Sequence, residues 1–269
     1  MENYNNYRIP VTGDFKDVFC HFYFAENKTR NPIIKTLVPS YQTIMIFSFG
    51  NDVLLHTQQD ETLALSKCIV LGPVKFAFKY TLQVNSEILV ANFKDDAFYR
   101  FFSKVMLNSN SLTHPDTLLE SNCFALLWTH LNEIKDNNSR VEFILEFCKP
   151  YLDEQSAIAN QLNKIDNETL NPIKTIAELN NESERNIQIK HKKYLGYSAK
   201  EILRFERFLK VMEYIPKNID ENAPQIDWLD IVQRCGYYDQ SHLIHDFKKY
   251  LNMSPTKYLR FQQDICYPR

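Results

Sequence analysis

Polar side chains recur at helical spacing near the C-terminal end of the chain. Gln240, Ser241, His245 and Lys248 fall on one face of a helix that is predicted to begin near Asp239. Amide, hydroxyl and imidazole groups can pair with base edges in the DNA major groove, and a lysine at the far end can meet a phosphate. A polar helix face is most often merely solvated, so this pattern alone does not predict DNA binding.

The segment that carries these residues occurs twice in the chain. Residues 176–204 align with residues 231–260, with one additional residue in the turn of the second copy. The run Lys-Lys-Tyr-Leu stands at 192–195 and again at 248–251. We interpret the duplication as two helix-turn-helix units, which favours a bipartite DNA reader over a solvated helix face.

In each copy the sequence predicts a first helix, a turn and a second helix. The first helix is predicted at 173–180 in the first copy and at 227–235 in the second. Ser183 and Asp239 stand where the second helices begin, and their side-chain oxygens can accept from the free backbone amides of the first turn. Residues 199–215 have the apolar stripe of a long helix that joins the two copies. The inward faces of the second helices are predicted to carry Ile187 and Tyr194 in the first copy and Leu243, Phe247 and Tyr250 in the second.

The composition fits a globular protein of about two domains. The chain has 269 residues, of which 44% are hydrophobic and 24% charged, and its formal net charge is −2. Because the bulk charge is small, any affinity for DNA must come from the local placement of basic residues. The six cysteines are scattered without metal-binding spacing, which favours free thiols in a reducing compartment. With no secretion signal pattern and no apolar run near ~18 residues, we expect a cytoplasmic location.

Residues 1–105 are predicted to be rich in β-strands. Apolar or alternating runs stand at 15–24, 43–49, 68–71, 74–80 and 88–93. Short strands at this spacing favour a small cupin-like barrel or sandwich. His21 and His56 stand alone, so a metal-binding cupin site is not indicated and both are expected at the surface or hydrogen-bonded in the core. The aromatic side chains are expected to form the core, with an apolar ligand pocket as the alternative.

The pattern becomes helical after the predicted strands. Amphipathic helices are predicted at 117–134 and 140–152, and their apolar stripes admit two interpretations: packing on another part of the same chain, or a dimer seam. Residues 166–172 are the expected linker to the duplicated region. The predicted organisation is a β-rich effector-sensing domain at 1–105, a helical connection at 106–165 and a DNA-binding domain at 166–269.

Residues 236–260 resemble the signature of the AraC/XylS family of bacterial transcription regulators. The signature combines a glycine and an aromatic residue, a helix cap, a serine, an aromatic-basic pair, a Ser/Thr-Pro pair and a final aromatic residue. This chain carries them as Gly236, Tyr237, Asp239, Ser241, Phe247-Lys248, Ser254-Pro255 and Tyr258. The family implies two helix-turn-helix subdomains whose recognition helices enter successive major-groove segments about one DNA turn apart. The expected fold class is therefore α+β, with a β-rich N-terminal part and an all-α C-terminal domain.

The resemblance implies a set of DNA contacts. Base-facing positions would be held by Arg185, Gln188 and Ile189 in the first copy and by Gln240, Ser241, Ile244 and His245 in the second. Phosphate contacts would come from Lys190, Lys192, Lys193, Lys248, Lys249 and Thr256.

The chain departs from the family pattern at four positions. Ile189 and His245 stand where the family usually has a basic residue, and His191 stands where an aromatic residue usually fills the core. Asn252 replaces the usual glycine after the second recognition helix, where asparagine also tolerates the left-handed conformation. Because two of these departures weaken the first copy, we expect base selectivity to rest more on the second.

The resemblance also defines the expected partners. Double-stranded operator or promoter DNA is the main one, and RNA polymerase, a second copy of the chain and a small-molecule effector are further candidates. No cofactor, metal, catalytic residue or membrane is implied. The alternative function is that of a small-molecule-binding protein whose helical domain no longer reads DNA. An enzyme built on the barrel is least favoured, because the sequence presents no recognisable set of nucleophile, base and metal ligands.

Overall fold

The computed structural model describes the chain in seven stretches: residues 3–56, 61–102, 112–119, 122–165, 171–217, 227–260 and 265–266. The predicted domain boundary at 105–106 and most of the predicted linker at 166–172 lie outside these residues.

Two β-sheets form the N-terminal part, as the expectation of a small barrel or sandwich requires. The strand order is β1-β2-β9-β4-β7-β10 in one sheet and β11-β3-β8-β5-β6 in the other. Paired strands are antiparallel except β11 and β3, where the C-terminal end of the chain adds a parallel edge strand. The strands are β1 Tyr4–Pro10, β2 Phe19–Asn27, β3 Ile33–Leu37, β4 Ile44–Gly50, β5 Val53–His56, β6 Thr62–Leu65, β7 Cys68–Leu71, β8 Phe78–Leu82, β9 Ser86–Phe93, β10 Leu112–Thr113 and β11 Ile265–Cys266.

The central strands of the six-stranded sheet are apolar on both faces because both faces are covered. Met45 and Phe47 of β4 lie in a core shared with helices, whereas Ile44 and Ile46 belong to the core between the two sheets. Successive side chains of a strand point to opposite faces, so a doubly covered strand needs apolar residues at every position. This explains the continuous apolar run that predicts a strand at 43–49.

The helices follow in two groups, one against the sheet and one forming the C-terminal part. They are α1 Ala97–Phe101, α2 Pro115–Leu119, α3 Cys123–Glu133, α4 Asn137–Cys148, α5 Ala157–Leu162, α6 Pro172–Leu179, α7 Glu184–Leu195, α8 Ala199–Lys217, α9 Trp228–Arg234, α10 Gln240–Leu251 and α11 Pro255–Arg260. The apolar stripes of α3 and α4 pack on the outer face of the six-stranded sheet, through Phe124, Leu127, Leu131, Val141 and Ile144.

The prediction of one helix over 117–134 was wrong. The chain forms α2 and α3 instead, because the Asp116 carboxylate reaches across to the beginning of α3. Its two oxygens accept hydrogen bonds from the backbone amides of Phe124, at 2.7 Å, and Ala125, at 3.0 Å. A buried side chain thus satisfies the free amides of a new helix start, which the apolar periodicity does not reveal.

The strand predicted at 74–80 begins only at Phe78. Its first residues pair elsewhere: the Val74 amide donates to the Gln42 carbonyl at 2.9 Å, and the Ala77 amide donates to the Tyr250 carbonyl at 2.8 Å. The segment before β8 is therefore a contact with the C-terminal part rather than a strand. Strands β1, β3, β5 and β6 were missed, because their alternation of apolar and polar residues is weak or short.

The C-terminal part contains the predicted duplication. Helices α6 and α7 form the first helix-turn-helix unit, α9 and α10 form the second, and α8 joins them. The two units have separate cores, one around Ile176 and Ile187 and one around Leu243, Phe247 and Tyr250. Helix α5 packs with the first unit through Leu162, so this unit extends into the predicted helical connection.

Candidate nucleic-acid interface

The two recognition helices, α7 and α10, have the caps that the sequence predicts. The Ser183 side chain accepts from the Asn186 amide at 3.2 Å, and the Asp239 side chain accepts from the His242 amide at 2.8 Å. Helix α7 is followed by Gly196, whose φ is 77°, and α10 is followed by Asn252, whose φ is 53°. Asparagine thus occupies the left-handed position where the family usually has glycine, as predicted.

The predicted base-facing side chains lie mainly on the outer faces of α7 and α10. Arg185, Gln188 and Ile189 are exposed on α7, and Ile189 is unusual because an apolar side chain is 56% exposed there. On α10, Ile244 is half-buried, and Gln240, Ser241 and His245 are exposed. Their roles in base contact stay predictions.

The predicted phosphate-contacting residues fall into two groups. Lys192, Lys248 and Thr256 are exposed. The other three lysines have contacts within the chain, although Lys193 is also exposed. Lys190 forms an ion pair with Glu182, and Lys193 lies 5.9 Å from the ring of Tyr99 in the N-terminal part. Lys249 is half-buried, and burial together with nearby Arg204 lowers the pKa of its ammonium group.

A buried carboxylate organises the second recognition helix. Asp246 is 1% exposed, although it lies between the predicted inward residues of α10. It accepts from Arg204 Nε of α8 at 2.7 Å and from the Tyr237 hydroxyl at 2.9 Å. This pairing was missed because it joins residues far apart in the chain. The signal that could have found it is an aspartate directly beside the apolar stripe of an amphipathic helix, where a carboxylate needs a partner.

Arg204 also contacts a predicted base-facing residue. Its Nη2 lies 3.0 Å from Nδ1 of His245. A guanidinium group can only donate, so Nδ1 of His245 accepts and the neutral ring carries its proton on Nε2. The exposed edge of His245 is therefore a hydrogen-bond donor.

His191 fills the core position of the first unit where the family has an aromatic residue. Its Nδ1–H donates to the Tyr197 carbonyl at 2.7 Å, and its ring lies edge-on to the Tyr197 ring. Burial lowers the pKa of the imidazole, although the bond to Tyr197 and the nearby Glu201 act in the opposite direction. The neutral ring thus fills the core position of an aromatic residue, and its hydrogen bond joins α7 to the segment that follows it.

The β-rich part brings together a cysteine, a histidine and an aspartate. His114 Nε2 lies 3.5 Å from Cys68 Sγ, and the Asp116 amide donates to His114 Nδ1 at 3.3 Å. With Nδ1 accepting, Nε2 carries the proton and donates towards sulfur, the reverse of a base that activates a thiol. Burial raises the pKa of the Cys68 thiol to about 12, which keeps it protonated at neutral pH.

The structure also bears on metal binding, on the hydrogen bonding of His56 and on membrane-spanning helices. Within the described ranges, no cluster of three or more His, Cys, Asp or Glu side chains is arranged to hold a metal ion. His56 is hydrogen-bonded, with Nε2 2.7 Å from the Thr81 hydroxyl. No helix among the described residues is long and apolar enough to cross a membrane.

A small cavity lies between the two sheets. It measures about 50 Å³, and its wall is apolar except for a few polar side chains that include His21, Ser40 and Asn92. Nε2 of His21 is buried and has no hydrogen-bond partner among the described residues. Burial, with a contribution from Arg8, lowers the pKa of His21 to about 4. The predicted core aromatics Phe19, Phe22, Phe47, Phe49 and Phe93 are indeed buried, whereas Phe78 lines the cavity.

The N-terminal part packs directly on the C-terminal part. Tyr41 is buried, with its ring stacked on Phe205 of α8 at 4.5 Å between centroids. Lys75 Nζ lies 2.8 Å from Glu201 Oε1 at the start of α8. Burial acts to raise the pKa of Glu201, but the hydrogen bonds from Lys75 and Ser198 outweigh it and hold that pKa below its ordinary value. The first half of α8 therefore lies against the N-terminal part.

Comparison with known proteins agrees with the helix-turn-helix geometry. Residues 222–260 match the family of bacterial regulatory helix-turn-helix proteins of the AraC type. No curated protein matches the chain by sequence.

Several solved structures are similar to this chain in outline. ToxT from Vibrio cholerae O395 covers 96% of each chain at 13% identity and a TM-score of 0.41. A second crystal form of Vibrio cholerae ToxT covers 96% of this chain and 97% of that one, at 14% identity and a TM-score of 0.42. Wild-type ToxT from Vibrio cholerae strain SCE256, solved with a bound unsaturated fatty acid, covers 87% and 96% at 11% identity and a TM-score of 0.39.

The family match falls on the unit whose caps, core and outward polar face are described above. It covers the second recognition helix, which lies in the copy that is closer to the family signature. Residues 222–260 thus match the AraC type of bacterial regulatory helix-turn-helix proteins, and the second helix-turn-helix unit, formed by α9 and α10, lies within that match.

Proposed function

We propose that the chain reads operator DNA with both recognition helices, α7 and α10. The observation that carries this proposal is the pair of capped helices with exposed polar faces on one linker helix, α8. Base contacts are assigned to Arg185, Gln188, Ile189, Gln240, Ser241, Ile244 and His245. Phosphate contacts are assigned first to the exposed Lys192, Lys248 and Thr256. Lys190, Lys193 and Lys249 would have to leave partners within the chain before they could bind phosphate.

Gln240 and Lys248 are expected to differ in how their loss affects binding. Gln240→Ala should cost about 1–3 kcal/mol on the preferred sequence and relax the preference at one base pair. Lys248→Gln should weaken binding to all sequences about equally and lower the salt dependence, because a phosphate contact carries no sequence information. The measurement is DNA selection from a random pool, followed by titration of the selected and scrambled duplexes at several salt concentrations.

Glu142→Gln provides a control, since this exposed residue of α4 changes the surface charge outside both helix-turn-helix units. Equal losses on selected and scrambled DNA for Gln240→Ala would remove its assignment as a base reader. If the unaltered protein selects no sequence, the chain is the alternative small-molecule-binding protein rather than a DNA reader.

A small apolar ligand is proposed to control DNA binding through the cavity between the sheets. The volume of the cavity is only a third of that of a ~150 Å³ protein cavity that binds one benzene molecule. A ligand must therefore widen the cavity as it enters. Its wall would supply apolar contact, and Nε2 of His21, which has no hydrogen-bond partner among the described residues, would pair with a polar group of the ligand.

The segment between β3 and β4 links the cavity to the linker helix. Leu37 and Ser40 line the cavity, whereas Val38 and Tyr41 belong to the core that contains Phe205 of α8. Widening the cavity would displace this segment and thereby the surface on which α8 packs. A ligand in the cavity would thus change the position of α8, which joins the two recognition helices.

Val90→Phe tests the ligand proposal, because Val90 lines the cavity and is buried. A phenyl ring there should weaken binding of the apolar fluorescent probe N-phenyl-1-naphthylamine about ten-fold or more, since overpacking costs about 1–3 kcal/mol. The probe should change the DNA affinity of the unaltered protein but not that of the variant. Leu126→Phe, at an exposed position of α3, is the control. Unchanged probe binding by a folded Val90→Phe protein would place the probe elsewhere.

We further propose that the chain acts in the cytoplasm. RNA polymerase and a second copy of the chain stay candidate partners, and the exposed Phe143 on α4 is one apolar side chain available for self-association.

A further inference from the structure

A basic cleft separates the two recognition helices. It has a volume of about 1020 Å³ and is lined by Gln188 of α7, His242 of α10 and one face of α8. That face presents Lys200, Leu203, Arg204 and Arg207. Residues three, four and seven positions apart share a helix face, so these side chains form one stripe along the floor of the cleft.

The charges of the cleft favour an anionic partner. Four basic side chains line it: Lys174, Lys200, Arg204 and Arg207. Arg204 is hydrogen-bonded to Asp246, and the Arg207 guanidinium lies 4.7 Å from the ring of Tyr237. Lys200 is exposed, and Lys174 has a weak contact of 3.9 Å with Glu178. The carboxylates lining the cleft are Asp246, which Arg204 neutralises, and Glu184 in the first turn of α7.

The geometry of DNA defines what must lie across this cleft. Recognition helices in successive major-groove segments straddle the minor groove between them. That minor groove is about 6 Å wide and is bordered by the phosphates of both strands. Those phosphates would therefore face the surface between α7 and α10, which in this chain is the floor formed by α8.

We propose that α8 is a third DNA-contacting element, which binds the phosphates of the intervening minor groove through Lys200 with support from Lys174. The inference rests on the proposed function, because it requires both recognition helices to engage one duplex. It assigns to the linker helix a role beyond joining the two units: it holds the DNA between the two sites of base contact. This contact is independent of sequence, so it strengthens binding without changing base preference.

Lys200→Gln and Lys210→Gln form a matched pair for the test. Both residues are exposed lysines of α8, but Lys210 does not line the cleft. Each substitution removes the same charge, so long-range electrostatic effects are matched. Neither is expected to unfold the protein, which a thermal melt of each variant would verify.

The measurement is the slope of log binding constant against log salt concentration for the full chain and a selected duplex. Lys200→Gln should lower the magnitude of the slope by about 0.9 and the affinity at ~0.15 M salt about five-fold, the value for one lost phosphate contact. Lys174→Gln combined with Lys200→Gln should lower it by about 1.8. Lys210→Gln should leave the slope unchanged.

Three contrary outcomes are distinguishable. Equal slopes for Lys200→Gln and Lys210→Gln would overturn the role of the linker helix while leaving DNA reading intact. A slope near zero for the unaltered protein would instead contradict the proposed function itself. A change in the selected sequence with Lys200→Gln would also overturn the inference, because a phosphate contact carries no base preference.

Discussion

Replacing Arg204 by methionine is expected to lower the free energy of unfolding by about 3 kcal/mol, because it leaves a buried carboxylate without its cation. Asp246 is 1% exposed and would keep only the Tyr237 hydroxyl as a side-chain donor among the contacts described above. The same substitution removes the donor that fixes the tautomer of His245. Urea unfolding of the full chain, followed by far-ultraviolet circular dichroism, measures the loss.

Arg234→Met is the control for this prediction. Arg234 donates to Asp230 at 2.6 Å, but the pair is exposed, so its removal should cost much less. Arg204→Lys should fall between the two, since one ammonium group can meet Asp246 but cannot reproduce the guanidinium contacts to both Asp246 and His245. Similar unfolding midpoints for Arg204→Met and Arg234→Met would show that the buried pair does not stabilise the second unit as described.

Tyr41→Ala is expected to separate the N-terminal part from the DNA-binding part. Tyr41 is 4% exposed, stacks on Phe205 and lies edge-on to Tyr197 at 5.1 Å. Truncating a buried aromatic side chain costs about 3–5 kcal/mol. Each part has its own core, so the loss should appear as weaker coupling between them. Differential scanning calorimetry should change from one cooperative transition to two.

Tyr7→Ala serves as the comparison, because this aromatic residue is 41% exposed on β1 and has no contact with α8 among those described. It should shift the transition without dividing it. A single transition of unchanged midpoint for Tyr41→Ala would contradict the account of the interface. The result also bears on ligand control, which is proposed to pass through the same segment.

The periodicity and the duplication predicted the local features of the C-terminal part. The caps at Ser183 and Asp239, the left-handed Asn252 and the long linker helix all depend on residues close together in the chain, so their residue types carry the information. The family match at 222–260 then agrees with the copy that the sequence identifies as better preserved.

Features that depend on distant residues could not be predicted in this way. Arg204 and Asp246 are 42 positions apart, and Lys75 and Glu201 are 126 apart, so neither pair leaves a local pattern. Asp116 is only eight positions from Phe124, but the hydrogen bond by which its carboxylate caps α3 is not visible in the apolar periodicity of that segment. Tertiary packing likewise determines the contacts and burial of Lys190, Lys193 and Lys249, which helical spacing does not reveal.

The central claim is that α7 and α10 read one duplex together, and chemical footprinting of the full chain on a selected duplex tests it most directly. The account predicts two patches of major-groove protection about one helical turn, ~10 base pairs, apart on the same side of the DNA. Gln240→Ala should weaken protection at one base pair within the patch assigned to α10. A single protected patch, or two patches on opposite sides of the duplex, would contradict joint reading by the two recognition helices.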